Sequence, residues 1–260
     1  MEIIDLHGCK GLVVGIANER SLAWSSAQHL RSAGAELGIT YLNDKAKPYV
    51  EPLARQVGAT LFLPCNVTVP GQLDAAFSAI KDTWGRLDFL FHSIAWARKE
   101  DLHGRLVDCS AEGFVESMLV SCHSFIHMAK LAEPLMDRGG SLMTLSFYGA
   151  EKVVDHYNVM GPVKAALESS VRYLAHELGP KGIRVNAISA GAVATRAASG
   201  IEHFDELLNE TARKAPLRRT VDSCEVGRAA LWLASDYSSA VTGELLHVDG
   251  GFHIEGMVFH

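Results

Sequence analysis

The stretch "DHYNVMGPVKAALESSVRYLAHEL", residues 155–178, holds one tyrosine and one lysine, Tyr157 and Lys164, seven positions apart, and runs on into a long amphipathic segment. On a helix, residues at i, i+4 and i+7 share one face, so Lys164 falls on the side of Tyr157. Pro162 stands between them, and proline is tolerated only in a helix's first turn. Regular helix is therefore expected to begin near 158–162. Tyr157 then sits at the helix entrance, at the rim of whatever layer the helix packs on, where a small molecule can reach it.

Outward from this helix, short apolar runs alternate with longer periodic segments. "GLVVGI" (11–16), "ELGITYL" (36–42), "TLFLPCNV" (60–67), "LDFLFHSI" (87–94), "SLMTLSF" (141–147), "RVNAISA" (184–190) and "ELLHVDG" (244–250) read as seven strands. Several are apolar on both faces, as buried parallel strands are. "LAWSSAQHLRSAG" and "QLDAAFSAIKDTWG" read as helices between them. Such alternation predicts an α/β protein: a doubly wound, mainly parallel seven-stranded sheet with helices on both faces. Ligands of these sheets bind at the carboxyl ends of the strands. No linker or repeat divides the chain, so residues 1–260 are read as a single domain.

Composition narrows the function. The 260 residues are 48% hydrophobic and 21% charged, and the net charge of −6 offers no footprint for nucleic acid or an anionic membrane. Five scattered cysteines form no disulfide framework and suit a reducing cytoplasm. The text "MEIIDLHGCKGLVVG" does not read as a signal peptide, and no apolar run approaches the ~20 residues of a membrane span. His123 and His127 stand at i,i+4, but no further ligand motif accompanies them, so no metal site is expected.

After the first strand, "GLVVGIANERSLAW" lacks the G-x-G-x-x-G spacing of a dinucleotide turn. Gly15 closes the strand, and a helix opens near Ser21, Leu22 and Ala23. Small residues here would let backbone N–H groups approach a pyrophosphate at the helix N-terminus, with Ser21 as its cap. The same text suits an ordinary βα turn equally well. At the end of the second strand, Leu42, Asn43 and Asp44 supply no arginine for a 2′-phosphate, and Lys45 and Lys47 come later. That balance favours NADH over NADPH.

Taken together, "GIANERSLA" (15–23), "HSIAWA" (92–97), "YNVMGPVK" (157–164), "GIRVNAISAG" (182–191), "TRAASGI" (195–201) and "HVDGGF" (247–252) resemble the short-chain dehydrogenase/reductase superfamily. Within it they are similar to the divergent branch of NADH-dependent enoyl-acyl carrier protein reductases, over nearly the whole chain. The most specific element is Tyr-x6-Lys, because most of the superfamily uses Tyr-x3-Lys. The resemblance implies a Rossmann domain with a substrate-binding loop and helix insert at about 192–215. It implies hydride transfer from NADH to the β-carbon of a trans-2-enoyl thioester, the last step of the fatty acid elongation cycle. The enolate so formed needs a hydrogen-bond donor, which Tyr157 supplies. Lys164 is expected to lower the phenol's pKa and to bind the nicotinamide ribose.

Other roles follow from the resemblance. Gly15, Ser21, Leu22, Leu42, Asn66, Val67, Ser93, Ile94, Val193 and Thr195 join Lys164 in the cofactor set, with Val67 near the adenine. Trp96, Ala97, Phe147, Tyr148, Met160, Ile201 and Phe204 line the acyl pocket. "HVDGG" serves structure and subunit contacts, and a homotetramer is implied; the segment 114–136 is apolar over more than one face, as an interface helix often is. Two departures stand out. The family reads Leu-Ser-Tyr where this chain reads "LSFYGAE", so Phe147 holds the slot of a second tyrosine and Tyr148 is displaced by one. And Glu202, Asp205 and Glu206 stand where the family tends to be basic towards the acidic carrier protein. A carbonyl reductase or alcohol dehydrogenase of the superfamily, and an NAD(P)-binding sensor without turnover, are the competing functions.

Overall fold

Seven strands, each overlapping one of the apolar runs, make one parallel sheet. The structure, a computed structural model, describes residues 4–195 and 203–256. The first half of the chain runs β1 (Lys10–Val14), α1 (Leu22–Ser32), β2 (Glu36–Tyr41), α2 (Lys47–Gln56), β3 (Leu61–Pro64), α3 (Gln72–Trp84) and β4 (Phe89–His92). A short α4 (Lys99–His103) follows, then α5 (Ala111–Met118) and α6 (Ser124–Ala132), joined by a π-helical turn over Leu119–His123. The second half runs β5 (Gly140–Ser146), α7 (Met160–Leu178), β6 (Ile183–Ala190), α8 (Phe204–Lys214), α9 (Ser223–Ala234) and β7 (Leu245–Val248).

The strand order is β3-β2-β1-β4-β5-β6-β7, and every pairing is parallel. Successive side chains on a strand face opposite layers, and here both layers are apolar. Leu12, Val14, Leu90 and Leu142 point into a core with Phe77 of α3, Phe125 and Met128 of α6, and Val163 and Leu167 of α7. Val13, Phe89, Phe91 and Met143 point into a second core with Trp24 and Leu30 of α1, Val50 of α2, and Val226 and Leu233 of α9. This two-sided demand is why the strands read as unbroken apolar runs. Each fully buried phenylalanine contributes roughly 1.5–3 kcal/mol by burial. The chain reverses its winding between β1 and β4, and at such a switch point the carboxyl edges diverge and leave a crevice.

Candidate functional site

The crevice is built by close approach of backbone. Gly15 has φ 104°, and a Cβ there would fall 1.9 Å from the carbonyl oxygen of Ser93. Ser93 in turn donates its N–H to Val14 (2.9 Å), which locks the end of β4 to the end of β1. Ser21 is the N-cap of α1, but its hydroxyl does not cap the helix. It accepts from the N–H groups of Ala17 (3.0 Å) and Asn18 (3.1 Å), and so fixes the turn before the helix. The first N–H groups of α1 are left to face an anion with the positive end of the helix behind them.

Past β2, Leu42, Asp44 and Lys45 are exposed, and the Lys47 ammonium lies over the Tyr41 ring at 5.6 Å. Asn66 is turned inward on its own segment, with its Oδ1 accepting from the N–H (3.1 Å) and hydroxyl (2.8 Å) of Thr68. Val67 and Ile94 pack at the margin of the core. A glycine cradle, a free helix start and the absence of an arginine after β2 suit a dinucleotide without a 2′-phosphate.

Tyr157 precedes α7 by three residues, in a turn where His156 (φ 63°) and Asn158 (φ 39°) are left-handed. That backbone is costly for residues other than glycine and must be held by its surroundings. Asn158 is anchored through its amide to the carbonyl of Leu102 (2.6 Å). Gly149 lets the tyrosine ring come close, since a Cβ there would stand 2.4 Å from Tyr157 Cδ1. Pro162 lies in the first turn of α7, which begins at Met160. The phenol is buried, and that burial, with the charge of Glu168 adding, pushes its pKa well above the ordinary value. The expected lowering by Lys164 is overturned, because enclosure dominates and the ammonium is turned to the carbonyl of Leu145 (2.7 Å).

Burial pulls the Lys164 ammonium down to about 8, while Glu168 works in the opposite sense. Glu168 is itself buried and accepts from the Ser146 hydroxyl. Behind these groups His92 is fully enclosed, between the hydroxyls of Thr144 (2.9 Å) and Ser124 (2.8 Å). The Ser124 hydroxyl donates to Val120 (2.6 Å), so it accepts from His92 Nε2–H, and Nδ1 accepts from Thr144. Burial holds the imidazole neutral, down to about 3, with Lys164 reinforcing the shift.

A cavity of about 350 Å³ opens at the carboxyl edge of the sheet. Tyr157 and Lys164 both line it, as do Leu22 of α1, Val193 and Thr195. Trp96, Ala97, Phe147, Met160 and Phe204 also line it, together with Leu102, Ser146 and the Ala190–Ala192 turn, which sequence reasoning did not place in the pocket. Tyr148 lies outside this cavity. It begins a single turn after β5, sets its ring edge-on to Phe252 at 5.4 Å, and faces an adjoining cavity that shares Phe147, Gly191 and Ala192. Ile201 and Glu202 lie outside the described residues.

Sequence reading also missed Ser121, whose hydroxyl accepts from the Trp96 N–H (2.9 Å) and donates to its carbonyl (3.1 Å). Ser121 sits in the π-helical turn, where such turns often serve a site. His123 and His127 face each other at 6.1 Å, and His127 stands 4.0 Å from Asp74. Among the described residues no group of three or more histidines, cysteines or acids could hold a metal.

At the mouth, the acids of α8 are unequally paired. Glu210 is gripped by Arg213 (2.8 and 2.9 Å) and Lys214 (2.8 Å), and Glu206 meets His203 at 3.1 Å. Arg213 and Lys214 follow Glu210 at i+3 and i+4 on α8. Asp205 is exposed.

The sheet and its switch-point cavity define a Rossmann-type α/β protein. The family described as enoyl-(acyl carrier protein) reductase matches residues 15–253. The chain is 51% identical over 252 residues to the NADH-dependent enoyl-acyl-carrier-protein reductase 1 of Rhizobium meliloti, covering 97% of this chain and 93% of that one. It is similar to the crystal structure of the enoyl-acyl-carrier-protein reductase of Anaplasma phagocytophilum in complex with NAD. There the identity is 50%, the TM-score 0.94, and the coverage 97% and 96%. It also resembles the Bacillus cereus reductase with NADP+ and an indole naphthyridinone, at 44% identity and a TM-score of 0.95 over 98% and 100% of the chains. The chain belongs to the enoyl-acyl carrier protein reductase family.

Proposed function

We propose that this chain reduces the double bond of a trans-2-enoyl thioester carried on an acyl carrier protein, with NADH as reductant. One observation carries the residue roles: Tyr157 and Lys164, seven apart in sequence, line one apolar cavity beside the α1 N-terminus. Bound NADH supplies the hydride that reaches the β-carbon. Tyr157, kept neutral by burial, donates a hydrogen bond from its hydroxyl to the enolate oxygen as charge develops there, and a proton taken from solvent at the α-carbon completes the saturated thioester. Lys164 is placed to donate to ribose hydroxyls and to offset the enolate's charge. Trp96, Phe147, Met160 and Phe204 exclude water around the acyl chain. A carbonyl reductase of the superfamily would need lysine four residues past Tyr157. Gly161 stands there, and a Cβ would approach the Gly149 carbonyl to 3.1 Å.

The remaining assignments rest on lesser observations. Phe114, Val115 and Leu119 expose apolar surface along α5 and the π-helical turn, which supports a homotetramer. A monomer in light scattering at micromolar concentration would remove that assignment. Five unpaired cysteines suit the cytoplasm, and among the described residues no helix is long and apolar enough to cross a membrane. Localisation of a tagged chain to the membrane fraction would contradict that placement. The function is tested by following nicotinamide absorbance with crotonyl and dodecenoyl thioesters and then with a ketone. Oxidation of NADH by the thioesters alone is the expected result. Turnover of the ketone would favour the carbonyl reductase, and no turnover of either would favour the sensor.

A further inference from the structure

Lys164 is a buried cation, and among the described residues no carboxylate lies within ion-pair distance of it. Its direct partner is the neutral carbonyl of Leu145. A charge out of water needs compensation from nearby. One helical turn further along α7, on the same face, stands Glu168, equally buried and equally without a cation at ion-pair distance. Its carboxylate oxygen accepts from the hydroxyl of Ser146, the residue after Leu145. Two side chains of α7 thus grip two successive residues at the end of β5, and both β5 contacts lie beside the catalytic cavity.

We infer that Glu168 is a positioning residue for the reduction: aimed by Ser146, its carboxylate is the counter-charge that keeps the buried Lys164 an ammonium at the wall of the cavity. The inference rests on Tyr157 and Lys164 carrying the reaction as proposed above. Other groups facing the pair do not supply this charge. From β4 comes His92, held neutral by its enclosure, and from the π-helical turn comes Cys122, a buried thiol. Tyr157 is a neutral phenol. Around Glu168 itself stand Glu151 after β5, His247 of β7 and Arg172 of α7. His247 and Glu151 are bound to each other at 2.7 Å. Burial pushes the Glu168 carboxyl up, and the Ser146 hydrogen bond pulls it back towards the charged form.

The test uses the full-length protein and its variants Glu168→Gln, Glu168→Asp and Ser146→Ala. Two pH profiles are measured: kcat/KM with a crotonyl thioester, and NADH affinity by nicotinamide fluorescence. In the unaltered protein both should fall as Lys164 loses its proton, near pH 8. Glu168→Gln keeps the shape and the acceptor but removes the charge, so both limbs should move down by about one pH unit. Glu168→Asp should recover part of the shift, and Ser146→Ala should give a smaller shift of the same sign. Alkaline limbs in Glu168→Gln that superimpose on the unaltered protein would overturn the inference, even if its Tm were lower. If Glu168→Gln does not fold, unmoved limbs in Ser146→Ala overturn it. Failure of the underlying assignment looks different: Tyr157→Phe or Lys164→Ala would then stay active.

Discussion

The ring of Phe147 stands 4.8 Å from that of Tyr157, tilted by 57°, at the point where the family carries a second tyrosine. Phe147 follows β5 in extended backbone, and the single turn after it carries Tyr148 away to Phe252. Tyr157 is therefore the one phenol lining the cavity among the described residues. Phe147→Tyr adds a second phenol to the cavity wall, on the ring that packs against Tyr157. Activity on an enoyl thioester should be unchanged or higher in steady-state assays. A loss of about ten-fold, equal to 1.4 kcal/mol of barrier, would mean that the pocket needs the apolar ring.

Tyr157→Phe removes the proposed oxyanion donor and leaves the ring and its packing on Phe147 in place. Turnover should drop by ~10²–10³. Lys164→Ala should lose turnover and also weaken NADH binding, because the ammonium is assigned to both. Steady-state kinetics with fluorescence titration separates the two effects. Near-full activity in Tyr157→Phe would refute its role.

The sheet was legible because parallel strands buried on both faces are apolar at most positions, as Val13 and Val14 are on opposite sides of β1. The entry to α7 was legible because Pro162 leaves few places for a helix to start. Features that depend on distant partners were not. Nothing local to Ser21 says that its hydroxyl turns back to Ala17 and Asn18 instead of capping the helix. The Ser146–Glu168 contact joins a strand and a helix 22 positions apart. The phenol's shift follows from enclosure, which a motif does not record. The Glu210–Arg213–Lys214 cluster was within reach, since i,i+3 and i,i+4 partners on a helix meet.

His92 ties the fold to pH. Its folded value is about 3 against an ordinary 6.5. Between those values the unfolded chain binds a proton that the folded chain refuses. The contribution is fully present above pH 6.5 and is lost as pH falls towards 3, at ~1.4 kcal/mol per pH unit. His92→Asn should be less stable at neutral pH and should show a shallower loss between pH 6 and 4, by about one proton. Urea denaturation at a fixed protein concentration measures both. An unchanged slope would show that His92 does not govern this range.

Cofactor choice turns on the end of β2. Leu42 and Asp44 offer no cation to a 2′-phosphate, and Lys47 rests on Tyr41. NADH should give the higher kcat/KM. Leu42→Arg should shift the NADPH:NADH ratio upward by roughly 10–100-fold, the range of a charge-assisted hydrogen bond. Comparable kcat/KM for both cofactors in the unaltered protein would show that Lys45 or Lys47 reaches the phosphate.

Carrier docking depends on the charge left at the mouth. With Glu210 held by Arg213 and Lys214, the uncompensated described acids on α8 reduce to Asp205 and to Glu206, which has only His203. Arg213 and Lys214 offer an acidic partner little free positive charge for the same reason, since both are engaged by Glu210. Exposed pairs of this kind are worth ~0–1 kcal/mol each. A carrier with an acidic face should therefore meet mild repulsion, which acts on encounter more than on the bound state. Screening within a Debye length of about 8–10 Å should relieve it. kcat/KM for a carrier-bound enoyl substrate should rise modestly from low to moderate salt, while that for a small enoyl thioester stays level. The double change Asp205→Lys, Glu206→Lys should raise the carrier-bound rate at low salt, reverse its salt dependence, and leave the small thioester unaffected. Carrier-bound turnover in the unaltered protein that weakens as salt is added would sink this reading, because it would show net attraction at a rim where repulsion is expected.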